Sequence, residues 1–131
     1  MSTDTQTPRI LVVEDDAAIR EALNEVLVDL GYEVVVAPDG RRGLMLAEDQ
    51  PDPCPILLDW RMPVLDGPQF LARLRELPRG KEFPVILSTA DPSAKAAAMG
   101  VADQVAGVLS KPFDLDALLT VLERVSPRSR D

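Results

Sequence analysis

Five short apolar runs are spaced along the chain, and each is followed by a stretch with a different pattern. The runs lie at 10–13, 34–37, 56–58, 85–87 and 108–109. Continuous apolar runs of this length are typical of strands that are buried on both faces of a sheet. They therefore predict five strands, the third of which ends at Asp59 and the last of which is minimal.

The stretches between the runs repeat apolar residues at helical spacing. They predict helices over about 17–30, 42–48, from Pro68 onward, over about 93–105 and from Leu115 onward. Pro68 suits a first helical position. The apolar positions expected to face inward are Ile19, Ala22, Leu23, Val26, Leu27 and Leu30, then Phe70, Leu71, Leu74 and Leu77, and finally Leu115, Leu118, Leu119 and Leu122.

The first and fourth predicted helices differ in how well their sequences support them. Asp16 can cap the start of the first helix and Gly31 can end it. The helix over 93–105 is alanine-rich and contains Gly100, which destabilises a helix by about 1 kcal/mol relative to alanine. We therefore expect the fourth helix to be weak.

Strands that alternate with helices imply a parallel sheet covered by helices on both faces. The 131 residues fit one such domain. We expect the domain to span 9–125, with a flexible N-terminal tail at 1–8 and a C-terminal tail at 126–131. In sheets of this class, sites form beyond the carboxyl ends of the strands.

Composition excludes several classes of function. The chain has no histidine and a net charge of −8, which rules out histidine-based catalysis and argues against direct binding to nucleic acid or to an anionic membrane. No apolar run has the roughly 18 residues of a membrane-spanning helix, and 1–8 lacks the features of a signal peptide, so we expect a cytoplasmic protein. The single Cys54 cannot form an internal disulfide, and its apolar neighbours favour a small core residue over a reactive thiol.

Polar residues that can carry phosphoryl chemistry follow four of the predicted strands. They are Glu14, Asp15 and Asp16, then Asp59, then Ser88 and Thr89, and finally Lys111. Because strands one and three can lie side by side, their acids can converge, and carboxylate oxygens suit a hard cation such as Mg²⁺. An aspartate can also act as a nucleophile, and a nearby lysine and hydroxyl could hold phosphoryl oxygens.

Each of these residues also has a purely structural interpretation. The acids from Glu14 to Asp16 could simply favour the start of a helix, and for Asp16 we prefer the interpretation as a helix cap. Asp59 could be a turn residue, Thr89 could cap the next helix, and Lys111 could be a solvated charge. The occurrence of all four features at strand ends favours a functional site.

Four stretches together closely resemble the response-regulator receiver domains. They are Ile10-Leu-Val-Val-Glu-Asp-Asp16, Leu57-Leu-Asp-Trp-Arg-Met-Pro-Val-Leu-Asp-Gly67, Pro84-Val-Ile-Leu-Ser-Thr-Ala90 and Ser110-Lys-Pro-Phe113. The resemblance covers about 9–125, and the spacing is similar to that of single-domain chemotaxis receivers. It implies a flavodoxin-like, doubly wound α/β fold with a five-stranded parallel sheet in the order 2-1-3-4-5 and five helices.

The resemblance also implies a metal site and a phosphoacceptor. Asp59 is the implied phosphoacceptor, which becomes an aspartyl phosphate. Asp15 and Asp59 are implied to ligate Mg²⁺, Glu14 to do so mostly through water, and Arg61 to supply its backbone carbonyl.

Thr89 and Lys111 are implied to bind the phosphoryl group, with Thr89 moving as part of the switch. The bond before Pro112 is typically cis in this family. The implied partners are a sensor histidine kinase or phosphotransfer protein as donor, and a downstream protein target.

Two features of the sequence are individual to this chain. Many receivers carry an aromatic residue three positions before the lysine, and here that position is Val108. Arg61 and Asp91 occupy positions that receivers use at the rim of the pocket to control access of water to the phosphoaspartate. The valine puts in question the route of signalling through the fourth helix and the fifth strand, but not the phosphorylation chemistry.

Three kinds of function remain to be compared. The first is a signalling switch that takes a phosphoryl group from a phosphohistidine and changes its docking surface, catalysing only its own phosphorylation and dephosphorylation. This receiver could stand alone or be excised from a larger regulator or hybrid kinase. The second is an aspartate-nucleophile phosphatase, which would place a second aspartate where Arg61 lies. The third is a phosphorylation-independent pseudo-receiver, which would lack one of the key residues.

Overall fold

The computed structural model describes residues 7–60, 65–90, 105–111 and 114–125. Within these ranges, strands and helices alternate along the chain. They are β1 (Arg9–Val13), α1 (Ala17–Asp29), β2 (Glu33–Ala37), α2 (Gly40–Glu48), β3 (Ile56–Asp59), α3 (Gly67–Arg75), a 3-10 turn (Gly80–Glu82), β4 (Val85–Thr89), β5 (Gly107–Ser110) and α4 (Leu115–Val125). The predicted helix over 93–105 lies, except for its last residue, outside the described residues.

The five strands form one parallel sheet in the order β2-β1-β3-β4-β5, which confirms the predicted order. In the centre of the sheet, Val13 pairs with Leu58, and Asp59 pairs with Ser88. Because all of the strands are parallel, their carboxyl ends lie at the same edge of the sheet. The described residues contain four of the five predicted helices.

The sheet separates two hydrophobic cores, because residues that alternate along each strand face opposite layers. The core on the α2 and α3 side includes Leu11, Val13, Ile56, Leu58, Phe70, Leu71 and Leu74. The core on the α1 and α4 side includes Ile10, Val12, Leu23, Leu27, Leu57, Leu118 and Leu122. Burial on both faces explains why the central strands have continuous apolar runs.

The inward face of α1 is narrower than its apolar stripe predicts. Leu23 and Leu27 are buried, but Val26 is 36 % exposed and Leu30 is 48 % exposed, and Ala22 is also exposed. The prediction that these last three residues face inward was wrong. A helix that packs on a sheet next to the edge strand contacts it only through the residues along one line of the helix. Residues at either side of a wide apolar stripe therefore remain exposed to solvent.

Side-chain caps set the start of the first three helices. The Asp16 carboxylate accepts a hydrogen bond from the amide of Ile19 at 3.1 Å, which confirms the predicted cap of α1. Asp66 and Gln69 form a reciprocal capping box at the start of α3, a cap that was not predicted although the Asp-x-x-Gln pattern signals it. Gly31, with φ of 99°, follows the end of α1 as predicted.

Cys54 is buried in the core on the α2 and α3 side, as expected. Burial raises the pKa of its thiol to about 11, so the thiol is protonated at neutral pH and a poor nucleophile.

Among the described residues, none of the helices combines the length and apolar character needed to cross a membrane.

Candidate acidic site at the carboxyl edge of the sheet

Three predicted acids converge where β1 and β3 end. Glu14 and Asp15 follow β1, and Asp59 is the last residue of β3, in the strand next to it. One carboxylate oxygen from each of the three residues lies within 4.8 Å of the others. The neighbouring position of the two strands is what brings together residues that are distant in sequence.

Glu14 is 2 % exposed and is held by contacts at each of its polar groups. Its backbone amide donates to the carbonyl of Ala37 at 3.0 Å, and its carbonyl accepts from Nη1 of Arg20 at 2.8 Å. Its carboxylate accepts from the amide of Asp16 at 3.2 Å and from Nζ of Lys111 at 2.7 Å. The first acid of the site is therefore fixed in position.

The ammonium of Lys111 bridges two of the acids. Its Nζ lies 2.7 Å from Oε1 of Glu14 and 3.4 Å from Oδ2 of Asp59. Burial alone would lower the pKa of Lys111, but the hydrogen bond to Glu14 and the charge of Asp59 raise it above its ordinary value. Lys111 is therefore charged. Its ammonium lies closer to the carboxylate of Glu14 than to that of Asp59.

Asp59 is 7 % exposed, and its carboxyl group is difficult to ionise. Burial and the charge of Glu14 raise its pKa to about 7, although Lys111 acts in the opposite direction. Near neutral pH Asp59 is therefore only partly ionised in the metal-free protein.

Thr89 and Ser88 are buried at the end of β4, next to β3. The carbonyl of Thr89 accepts a hydrogen bond from the amide of Lys111 at 2.8 Å, which ties the two predicted phosphoryl-binding residues together. Val108 is partly buried and packs against the core on the α2 and α3 side. Arg61, Asp91 and Pro112 lie outside the described residues, so their predicted roles stay predictions.

Besides the pairing of Lys111 with Glu14, two contacts of the site were not predicted from the sequence. One is the bond from Arg20 to Glu14, and the other is the packing of Trp60 against Gly67. A Cβ at position 67 would lie 2.8 Å from the Trp60 ring and 3.0 Å from its backbone, so only glycine fits without movement. Because Trp60 follows Asp59 directly, this contact fixes the backbone beside the site to the start of α3.

The donor atoms of the cluster suit a hard divalent cation. They are all carboxylate oxygens, from Glu14, Asp15 and Asp59, which are the ligands that Mg²⁺ prefers. The raised pKa of Asp59 has the repulsion by Glu14 among its causes, and a cation bound between the two would relieve that repulsion. The residues present therefore fit the magnesium site that the sequence predicts.

Comparison with known proteins agrees with this fold. The family of the response regulator receiver domain matches residues 10–123. The chain is therefore a member of the response regulator receiver domain family, and its functional class is two-component phosphorylation signalling.

Individual relatives support the same assignment. Over 124 residues the chain is 40 % identical to the response regulator MprA of Mycolicibacterium vanbaalenii, with 91 % of this chain and 52 % of the relative covered. The chain thus spans about half the length of the curated relatives it matches.

Solved structures of receivers have the same fold. The chemotaxis response regulator CheY4 of Vibrio cholerae is 34 % identical, with a TM-score of 0.79 and coverage of 92 % of this chain and 99 % of that chain. The receiver domain of sensor histidine kinase PA1611 from Pseudomonas aeruginosa is 31 % identical, with a TM-score of 0.76 and coverage of 91 % and 97 %. That structure has a magnesium ion coordinated in its active site cleft.

Proposed function

We propose that this chain is a phosphorylation-controlled switch in which Asp59 accepts a phosphoryl group from a phosphohistidine. The observation that carries the proposal is the shared cluster of three carboxylates and one ammonium. Asp59 lies in this cluster with Glu14, Asp15 and Lys111. These residues supply the proposed nucleophile, the proposed cation ligands and a positive side chain at one edge of the sheet.

In the proposed reaction, a carboxylate oxygen of Asp59 forms a bond to phosphorus. The bond between phosphorus and the donor's imidazole nitrogen breaks, and its electron pair stays on that nitrogen. Glu14, Asp15 and Asp59 would hold Mg²⁺, with the carbonyl of Arg61 as the further ligand that the family implies. Bound Mg²⁺ supplies positive charge for the phosphoryl oxygens and favours the ionised form of Asp59.

Lys111 and Thr89 are proposed to hold the phosphoryl group after transfer. The Lys111 ammonium already lies 3.4 Å from the Asp59 carboxylate, so it is near the oxygens that the new group would bring. The Thr89 hydroxyl would bond another phosphoryl oxygen, and its movement would change the docking surface. Hydrolysis of the aspartyl phosphate would return the starting state.

The proposed donor is a sensor histidine kinase or a phosphotransfer protein, and the proposed output is a protein target rather than nucleic acid. The receiver unit is proposed to span 9–125. Since the curated relatives are about twice as long, the same unit could act alone or as the receiver part of a larger regulator or hybrid kinase.

Mass spectrometry of the protein after incubation with MgCl₂ and acetyl phosphate tests the acceptor. We expect one added phosphoryl group, located on the peptide that contains Asp59. The nearly isosteric Asp59→Asn should take up none. Asp66→Asn, which changes the cap of α3 in the same sequence motif, should still be labelled and serves as the control.

Two results would contradict the proposal in different ways. Full labelling of Asp59→Asn would show that the acceptor is another residue. No labelling of the wild type under conditions that label a known receiver would favour the phosphorylation-independent binding module instead.

A further inference from the structure

Arg20 makes a contact with the site that the proposed reaction does not use. Its Nη1 donates to the backbone carbonyl of Glu14 at 2.8 Å, and Arg20 is half-buried there. That carbonyl belongs to the peptide group that joins Glu14 to Asp15, and a peptide group is planar and rigid. A bond that holds the carbonyl therefore also holds the direction in which the chain enters Asp15.

The dipole of the helix does not favour an arginine at this position. Arg20 is the fourth residue of α1, where the positive end of the helix dipole disfavours a cation. The acid that precedes it at this end of α1 is the N-cap Asp16, whose carboxylate is occupied by the amide of Ile19. A local rule is thus broken at a residue that contacts a candidate site, which is where such exceptions are expected.

The other contacts of Glu14 hold its carboxylate, whereas Arg20 contacts its carbonyl. The Glu14 carboxylate is already held by Lys111 and by the amide of Asp16. Asp15, in contrast, is exposed, and its contribution to the acid cluster depends on the peptide that precedes it. The hydrogen bond from Arg20 acts on that peptide.

We propose that Arg20 is a positioning residue that holds the peptide between Glu14 and Asp15, and thereby sets the affinity of the acid cluster for a divalent cation. This inference rests on the proposed function, because it assumes that the cluster binds Mg²⁺. Partners that orient metal ligands typically change metal affinity by about 10- to 100-fold when they are removed.

The sign of the effect separates positioning from simple electrostatics. Arg20 brings a positive charge close to the cation site, so removing that charge alone would tighten the binding of Mg²⁺. Losing the orientation of Asp15 would weaken binding. A variant that removes both charge and hydrogen bond therefore gives opposite results under the two explanations.

The test is calorimetric titration of the metal-free protein with MgCl₂, for wild type, Arg20→Met and Arg42→Met. We expect the dissociation constant of Arg20→Met to rise about tenfold. Arg42 is an exposed arginine in the first turn of α2, at the same edge of the sheet, and its only role in a cap is through its backbone amide. Arg42→Met should therefore leave the dissociation constant nearly unchanged.

Unchanged or tighter binding by Arg20→Met would overturn the proposal. If that variant does not fold, Arg20→Lys takes its place, because it keeps the charge on a shorter side chain with a single donor group. We expect weaker Mg²⁺ binding from Arg20→Lys too, and wild-type affinity would overturn the proposal.

Amide hydrogen exchange without metal gives a readout that does not depend on Mg²⁺. In Arg20→Met the amides of Glu14 and Asp16 should exchange roughly tenfold faster, since they belong to the segment that Arg20 holds. The amides of Ile10 to Val13, in the interior of β1, should be unaffected. Unchanged exchange at Glu14 and Asp16 would overturn the positioning role. Absence of Mg²⁺ binding by the wild type would instead contradict the proposed function.

Discussion

At the scale of residues, the charge of Asp59 should make the stability of the metal-free protein depend on pH. Its pKa is about 7 in the folded protein and 3.8 ordinarily. Because the folded value is the higher one, the stabilising contribution is fully present below pH 3.8 and is lost as the pH rises through 7. Asparagine mimics the protonated carboxyl, so Asp59→Asn should be more stable than the wild type at pH 8 by a few kcal/mol, and equal to it near pH 4.

Urea unfolding from pH 4 to pH 8, in the presence of a chelator, measures this difference. Asp52→Asn, which changes an exposed acid, should show no such pH-dependent gain. An advantage of Asp59→Asn that stays constant over this pH range would show that ionisation of Asp59 is not its cause.

Lys111 should stabilise the metal-free site because its positive charge offsets the negative charges of Glu14 and Asp59. The side chain of Lys111 is 13 % exposed, and those of Glu14 and Asp59 are 3 % and 9 % exposed, so removing the ammonium leaves buried charge. Lys111→Met should lower the free energy of unfolding by about 3 kcal/mol. The loss should be smaller in a Glu14→Gln background, because one of the repelling charges is then absent.

Chemical denaturation of the two single variants and the double variant provides the comparison. Lys81→Met, at an exposed position in the 3-10 turn, should cost far less. Additive losses for Lys111→Met and Glu14→Gln would mean that the two side chains do not stabilise each other.

At the scale of elements, α3 should hold the backbone beside Asp59, the proposed acceptor, in place. Gly67→Ala adds a methyl group against Trp60 and should cost about 1–3 kcal/mol through overpacking. It should also change the fluorescence of Trp60, the single tryptophan of the chain.

Gly31→Ala is the matched control, because its Cβ meets no neighbour within 4 Å. It should cost about 1 kcal/mol through its positive φ alone and leave the emission spectrum unchanged. Equal emission spectra for the wild type and Gly67→Ala would argue against the tight contact.

Strands and helices were predictable here where a local pattern reflects burial. The runs at 10–13 and 56–58 predicted central strands, because both faces of those strands are covered. The stripe of α1 was predicted too wide, since periodicity shows which positions are apolar but not how much of a helix the sheet covers. For this reason Val26 and Leu30 belong to the apolar stripe but are exposed to solvent.

The acids of the site were predictable because the carboxyl ends of parallel strands meet at one edge. Their partners were not. Lys111 and Glu14 lie 97 positions apart in the sequence. No local pattern therefore shows that Nζ of Lys111 lies 2.7 Å from Oε1 of Glu14. The bond from Arg20 also escapes a pattern search, because its acceptor is a backbone carbonyl that every residue has.

At the scale of the whole molecule, Mg²⁺ should stabilise the fold by binding to the folded state alone. The melting temperature should rise with the concentration of Mg²⁺, and Asp15→Ala should remove most of that rise. Asp16→Ala should lower stability by about 1 kcal/mol, because it removes the cap of α1, but it should keep most of the response to Mg²⁺.

Thermal melts at several concentrations of MgCl₂ make this division of roles measurable. Asp39→Ala, which removes the cap of α2, should behave like Asp16→Ala. Equal loss of the Mg²⁺ response in Asp15→Ala and Asp16→Ala would contradict the assignment of separate roles.

The long separation between Glu14 and Lys111 has a consequence for synthesis on the ribosome. β1, β2 and β3 can pair once the chain has passed Asp59, whereas Lys111 arrives only with β5. At about 5–20 residues per second, several seconds pass in which the two acids of the nascent sheet lack their ammonium partner. A dissolved divalent cation bound during that interval would stand in for Lys111, and would thus assist folding before any signal is received.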